Sequence, residues 1–227
     1  MKWILTALLI ASAQPVHAGI VIYGTRVIYP AEKNEVLVQL MNQGRRSSLV
    51  QSWIDDGDSS LPPEEIHVPF MLTPPVAKIA ADSGQQLKIK KMPNTLPNNK
   101  ESLFYLNVLD IPPNNPDSTG KNVLKFAMQN RIKLFYRPKG IAPVNKSTFQ
   151  KISLKKNGND YSFKNDSANW ITVTEVKAGD IKINNSSIMV APLSSNNVTL
   201  KNITARQYKL TIIDDHGNYI SDNVSLK

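Results

Sequence analysis

The stretch from Asn122 to Tyr136 decides the fold, and its sequence is N-V-L-K-F-A-M-Q-N-R-I-K-L-F-Y. One set of alternate positions is almost wholly apolar: Leu124, Phe126, Met128, Asn130, Ile132, Leu134 and Tyr136. The intervening positions are mostly polar or basic. This period of two is typical of a half-buried β-strand.

The predicted strand is unusually long. At about 3.3 Å per residue it would span roughly 50 Å, whereas most strands have about 3–10 residues. If it lies at the edge of a sheet, its backbone groups and apolar face are open to pairing with another chain. The alternative interpretation is an ordinary central strand of a large sandwich.

Residues 1–18 have the features of a cleavable signal peptide. Lys2 supplies a positive start, Trp3 to Ala13 is apolar, and Val16-His17-Ala18 fits the small-x-small cleavage rule. The alternative is a membrane anchor, but the apolar run is too short to span a bilayer. We therefore expect an exported, soluble protein that begins at Gly19 and does not insert into the membrane.

Charge and cysteine content exclude several classes of protein. Loss of Lys2 changes the formal charge from +9 to +8, but the lysines are scattered rather than clustered with arginines and aromatics. We therefore expect a solvated basic surface and no nucleic-acid partner. The absence of cysteine excludes disulfides, thiolate metal sites and cysteine nucleophiles.

Nearly every periodic segment is strand-like and is bounded by turn residues, which favours an antiparallel sandwich. The first segment runs from Ile20 to Tyr29. A later one, Leu49 to Ile54, carries Trp53 as an expected core side chain. The length of the mature chain suits two immunoglobulin-like units of about 100 residues each.

Two segments that are rich in turn residues flank the long strand. Residues 111–121 are rich in Pro, Asn, Asp, Ser and Gly, which indicates a loop. On the other side, Pro138, Gly140 and Pro143 mark a domain boundary. We expect domains at residues 19–140 and 141–227.

The sequence contains few candidate catalytic or metal-binding residues. After signal removal only His67 and His216 remain, and neither has a partner at metal-ligand spacing. No Gly-x-Ser-x-Gly elbow is present, and Asp55 with its neighbours resembles a calcium loop only loosely. We expect no metal, no cofactor and no enzymatic activity.

Several motifs resemble those of the PapD-like periplasmic pilus chaperones. The run from Leu96 to Pro113 contains Glu-Ser-Leu-x-Tyr-x-Asn, and Ile-Lys-Leu-Phe-Tyr-Arg-Pro follows at residues 132–138. Thr25-Arg26 and Thr73-Pro74-Pro75-Val76 also match. The resemblance covers essentially the whole mature chain.

The resemblance implies two immunoglobulin-like domains set at an angle with a cleft between them. It also implies a chaperone in the Gram-negative periplasm that binds pilus (fimbrial) subunits, prevents their aggregation and delivers them to the outer-membrane usher. The chaperone lends an edge strand to a subunit that lacks one, a known case of strand addition. A secreted structural or adhesive fibre subunit is the alternative, although this chain has no disulfide and no N-terminal donor extension.

The resemblance also assigns roles to residues. Val123, Leu124, Phe126 and Met128 would fill the subunit groove from the donor strand 122–136; the alternative is that they pack only the chaperone's own core. Without a subunit, this strand could be capped in a dimer.

Two further groups follow from the same resemblance. Arg26 and Lys133 would anchor the C-terminal carboxylate of the subunit. Glu101, Arg137 and Asp215 would form a network of ion pairs that orients the two domains.

Overall fold

The structure is a computed structural model, and it describes residues 19–113, 124–158, 160–203 and 205–226. The signal segment, Val123 and most of the predicted loop at residues 111–121 lie outside these ranges. None of the helices in the described part is long and apolar enough to cross a membrane. Almost all regular structure is β, which confirms the predicted all-β class.

In the described residues, the first sandwich contains nine strands and a short 3-10 helix, Pro63–Glu65. The strands are β1 (Ile20–Ile22), β2 (Arg26–Pro30), β3 (Glu35–Asn42), β4 (Ser48–Asp55), β5 (Phe70–Thr73), β6 (Val76–Ile79), β7 (Gly84–Lys91), β8 (Ser102–Ile111) and β9 (Met128–Arg137). One sheet has the order β1-β3-β7-β5, and the other has the order β2-β9-β8-β4-β6. The apolar residues between them, including Tyr29, Leu40, Ile89, Leu106 and Leu134, form one buried core.

The second sandwich follows a six-residue 3-10 helix, Lys146–Lys151, which Asn145 caps. Its strands are β10 (Ile152–Asn157), β11 (Asp160–Asn165), β12 (Ile171–Ala178), β13 (Ile181–Lys182), β14 (Ile188–Val190), β15 (Ser194–Val198), β16 (Gln207–Ile213) and β17 (Tyr219–Ser225). One sheet is β10-β11-β15, and the other is β13-β12-β16-β17 with β14 also paired to β12. A separate core includes Leu154, Phe163, Val173 and Leu210.

The predicted first strand is wrong in one respect, because the chain changes sheets within it. β1 pairs with β3, whereas β2 pairs with β9 in the opposite sheet. Gly24, with φ +114°, lies at the crossing point between them. Glycine adopts a positive φ without steric cost, so the chain can turn there.

Trp53 was also wrongly expected in the core. Ser52 and Ile54 are buried, and Trp53 between them points to the other face of β4, where it is half-buried. Side chains alternate along a strand, so the residues on either side of Trp53 determine which face it takes.

The predicted strand at 122–136 is shorter in the structure, where β9 begins at Met128. β8 pairs with β9 from Met128, opposite Asp110, to Tyr136, opposite Ser102. Residues 124–127 continue the alternation but are not assigned to a strand, and no described strand pairs with them. A strand needs hydrogen-bond partners for its backbone groups, so regular structure begins at the first paired residue, Met128.

Candidate client-binding edge and anion site

One side of β9 is open in the described part of the chain. β2 runs parallel to β9 and covers it only from Lys133, opposite Arg26, to Arg137, opposite Pro30. Ahead of Lys133, no described strand pairs with that side of β9. We call the unpaired side of residues Leu124 to Ile132 the open edge. The pairing of β2 with β9 starts at the next residue, Lys133.

The open edge carries large exposed apolar side chains. Leu124, Phe126 and Met128 are 78%, 71% and 64% exposed. They occupy alternate positions, and the same alternation continues to the buried Leu134. They therefore do not pack in the protein's own core, which was the alternative role considered for them. Val123 lies outside the described residues.

Arg26 and Lys133 are direct neighbours on adjacent strands, so their side chains leave the same face of the sheet. Both are half-buried. Within the described ranges, neither has a carboxylate oxygen within 4 Å. Arg26 Nη1 donates to the Ile213 carbonyl at 3.5 Å, and its Nε is buried without a hydrogen-bond partner.

The pKa values of these two bases reflect their surroundings. Burial, and then the charge of Arg26, lowers the pKa of the Lys133 ammonium. Burial also lowers the pKa of Arg26, although Asp215 and Asp214 oppose this shift. Two adjacent cations without a close counter-ion form a site that favours an anion.

A third cation on this face is already neutralised. Arg131 lies two residues before Lys133 and donates from Nε to Asp55 Oδ2 at 3.0 Å. Its guanidinium stacks 3.7 Å from the centroid of the Tyr105 ring. Asn107 also donates to Asp55, at 2.6 Å, so this buried carboxylate is fully engaged. Of the three cations, only Arg26 and Lys133 remain available to a ligand.

Asp55 is the buried last residue of β4. Sequence reasoning missed its pairing with Arg131. The available signal was the spacing of Arg131, which lies on the same face of β9 as Lys133. Its acidic partner comes from β4, two strands away, so no local pattern could identify it.

A network of ion pairs connects the two sandwiches. Arg137 donates from Nε to Glu101 Oε1 at 2.6 Å and from Nη1 and Nη2 to Asp215 at 2.5 and 2.7 Å. Glu101 also accepts from the backbone N–H of Trp170 at 2.8 Å and from Asn169 Nδ2 at 3.2 Å. Burial raises the pKa of Glu101, and these donors oppose that shift. Asp215 and Trp170 belong to the second sandwich, so the network joins the two sandwiches.

His67 and His216 are both exposed. The backbone N–H of His216 donates to Asp214 Oδ1 at 2.9 Å. Among the described residues, no group of three or more His, Cys, Asp or Glu side chains could hold a metal ion.

Comparison with known families decides the classification. Residues 19–142 match the N-terminal domain of the PapD pili and flagellar-assembly chaperones, and residues 147–224 match the PapD C-terminal domain. The chain belongs to the PapD pilus chaperone family. This family has two immunoglobulin-like β-sandwich domains, as predicted, and its role is chaperoning rather than catalysis.

Individual relatives agree with this family. The chain is 68% identical to the probable fimbrial chaperone YehC of Escherichia coli K12, over 99% of this chain and 94% of that one. It is 38% identical to the chaperone protein FimB/FhaD of Bordetella pertussis, over 93% and 89%. The crystal structure of the Pseudomonas aeruginosa CupB2 chaperone superposes with a TM-score of 0.78 at 30% identity, covering 91% of this chain and all of that chain. These similarities favour a pilus chaperone over a fibre subunit.

Proposed function

We propose that this protein is a periplasmic chaperone that captures pilus subunits by lending them the open edge of β9. The observation that carries the proposal is that β2 begins, at Arg26, where the open edge ends. The exposed alternating side chains Leu124, Phe126 and Met128 would enter the open groove of a subunit. Val123 would act beside them. Backbone pairing gives affinity that tolerates sequence changes, and alternate side chains provide the fit.

The geometry also favours one direction for the client strand. A client strand on the open edge lies in line with β2. If it runs parallel to β9, its C-terminal end meets the start of β2, between Arg26 and Lys133. An antiparallel client would present its N-terminal ammonium to these two cations, which repel it. We therefore infer a parallel client strand.

Arg26 and Lys133 would bind the terminal carboxylate of the client through charge-assisted hydrogen bonds. The orphan Nε of Arg26 is a donor ready for this ligand. Binding the end of the client chain also sets the register of the client strand against β9, because apolar alternation alone permits slips of two residues.

The ion-pair network would orient the sandwiches so that the second one borders this site. Glu101, Arg137 and Asp215 have no chemical role in capture. We place the domain boundary after Gly140, in the segment between β9 and the 3-10 helix that opens the second sandwich.

The cellular context follows from the family. The signal peptide at residues 1–18 would direct the chain to the periplasm, and the loaded chaperone would deliver its subunit to the outer-membrane usher. Without a subunit, two copies would cap each other through their open edges, because exposed apolar strand edges associate readily.

The test is co-purification of a fimbrial subunit from periplasmic extract with the wild-type protein and with a double variant, Arg26→Ala with Lys133→Ala. We expect the double variant to fold but to lose the subunit. Lys139→Ala is the control, because Lys139 is an exposed base just after β9. A stable complex with the double variant would exclude the anchor.

A further inference from the structure

The loop between β16 and β17, residues 214–218, is a turn stabilised by the carboxylate of Asp214, and we call it the hairpin tip. Asp214 Oδ1 accepts from the backbone N–H groups of His216 and Asn218 at 2.9 and 2.8 Å. Asp214 Oδ2 accepts from Asn218 Nδ2 at 3.0 Å, and backbone bonds between Asp214 and Asn218 and from Gly217 to Asp214 close the turn. A turn with this many internal hydrogen bonds moves as one unit.

The hairpin tip touches the first sandwich immediately beside Arg26. Gly217 has φ +88°, and a Cβ atom there would lie 2.4 Å from Thr25 Oγ1. Real Cβ atoms essentially never come so close to another atom, so a side chain at position 217 would force Thr25 Oγ1 or the hairpin tip to shift. The positive φ also favours glycine.

The position of the tip determines the surroundings of Arg26. Ile213, which immediately precedes the tip, supplies the carbonyl that accepts from Arg26 Nη1 at 3.5 Å. The guanidinium otherwise lies 5.9 Å from the centroid of Phe135 and has its Nε unpaired. Few contacts therefore hold Arg26, and a shift of the tip would move its polar partner away.

We propose that Gly217 is a positioning residue for the carboxylate anchor: its missing side chain lets the hairpin tip close onto Thr25 and sets the Ile213 carbonyl against Arg26. The inference rests on the proposed function, because it assumes that Arg26 binds the client carboxylate. It also means that the second sandwich supplies a polar contact to the carboxylate anchor. The ion pair of Asp215 with Arg137 does not supply that contact.

Three variants separate positioning from folding. Gly217→Ala places a methyl group against Thr25. Adding Thr25→Ala removes the two atoms, Oγ1 and Cγ2, and leaves only Cβ at 3.5 Å, an ordinary contact. Gly179→Ala is the control, because Gly179 also has a positive φ (+61°) but open space around it. It lies next to Ala178, which pairs with Tyr208 at the opposite end of β16 from the tip.

The probe is a fluorescein-labelled peptide of about ten residues that alternates valine and threonine, long enough to follow the open edge. It is prepared with a free C-terminal carboxylate and with a C-terminal amide. We expect the wild-type protein to prefer the carboxylate at least about tenfold, from one or more charge-assisted hydrogen bonds. Gly217→Ala should reduce this preference to about threefold or less, and adding Thr25→Ala should restore it. Gly179→Ala should leave it unchanged.

A second measurement follows Arg26 without any client. The 15N resonance of the Arg26 Nε–H group should move in Gly217→Ala and return when Thr25→Ala is added. If the wild type prefers the carboxylate and Gly217→Ala preserves both the preference and the resonance, the positioning role is wrong while the anchor stands. If the wild type binds the two peptides equally, the anchor itself is wrong, and the positioning role with it.

Discussion

Replacing Lys133 with methionine should stabilise the free protein while weakening client capture. Lys133 is half-buried beside Arg26 and has no carboxylate within 4 Å in the described ranges. Lys133→Met keeps the apolar stem but removes the charge, so it relieves the repulsion between two adjacent cations. Cross-strand side-chain pairs contribute about 0.2–1 kcal/mol, and like charges directly opposite each other are destabilising. We expect the free energy of unfolding to rise by about 0.5–1 kcal/mol.

The effect on binding has the opposite sign. A hydrogen bond to a charged group contributes about 1.5–3 kcal/mol, which is about ten- to hundredfold in affinity. Lys133→Met should lose this factor for the carboxylate peptide and much less for the amide peptide. Urea denaturation gives the stability, and fluorescence anisotropy gives both affinities. Lys139→Met is the matched control, because Lys139 is exposed and should change neither quantity.

A structural role for Lys133 predicts a different outcome. If Lys133 contributed to the stability of the sandwich, Lys133→Met would lower the unfolding free energy and weaken both peptides equally. That result would refute the assignment of Lys133 as an anchor. The opposite signs of the two effects make the experiment decisive.

The remaining predictions concern the same edge and its supports. Phe126→Asp should weaken subunit capture in co-purification without lowering stability, because Phe126 is 71% exposed; a large drop in stability would place it in the core instead. Analytical ultracentrifugation should detect concentration-dependent dimers of the client-free wild type that Phe126→Asp abolishes, and a strict monomer at high concentration would exclude capping. Glu101→Ala should lower the unfolding free energy by about 3 kcal/mol in urea, because it removes one partner of the buried Arg137; a change below about 1 kcal/mol would contradict this. Because the pKa of Lys133 is lowered from its ordinary 10.5, carboxylate binding should fall as the pH rises through that lowered pKa, before an ordinary lysine titrates; Lys133→Arg should show no such fall.

The pH dependence of folding has the opposite sign to that of binding. Between the lowered pKa of Lys133 in the folded state and its ordinary value, the unfolded chain binds more protons. The contribution of Lys133 to the free energy of unfolding therefore rises with pH over this interval. Stability and carboxylate affinity should diverge there, which separates loss of the anchor from unfolding.

The sequence predicted the class of the fold because alternation survives wherever one face of a strand is buried. It could not set the ends of strands, which depend on neighbours distant in the sequence. Residues 124–127 alternate as regularly as β9 itself, yet no described strand pairs with them. The change of sheet at Gly24 is likewise a property of the tertiary structure, since apolar residues continue on both sides of it.

The candidate site was likewise predictable from the sequence only in part. The motifs predicted Arg26 and Lys133 as candidates, but that they lie opposite each other is seen only in the parallel register of β2 and β9. The neutralisation of Arg131 by Asp55 depends on strands that are far apart in the chain. This pair decides which cations remain available, so the electrostatics of the site could be read only from the folded structure.

Amide hydrogen exchange along β9 tests the central claim most directly. The measurement compares the protein alone, with the carboxylate peptide and with the amide peptide. We predict that alternate amides between Lys125 and Ile132 gain protection with the carboxylate peptide, and gain much less with the amide peptide at the same concentration. Unchanged exchange along this edge, with protection elsewhere in the molecule, would contradict capture by strand addition.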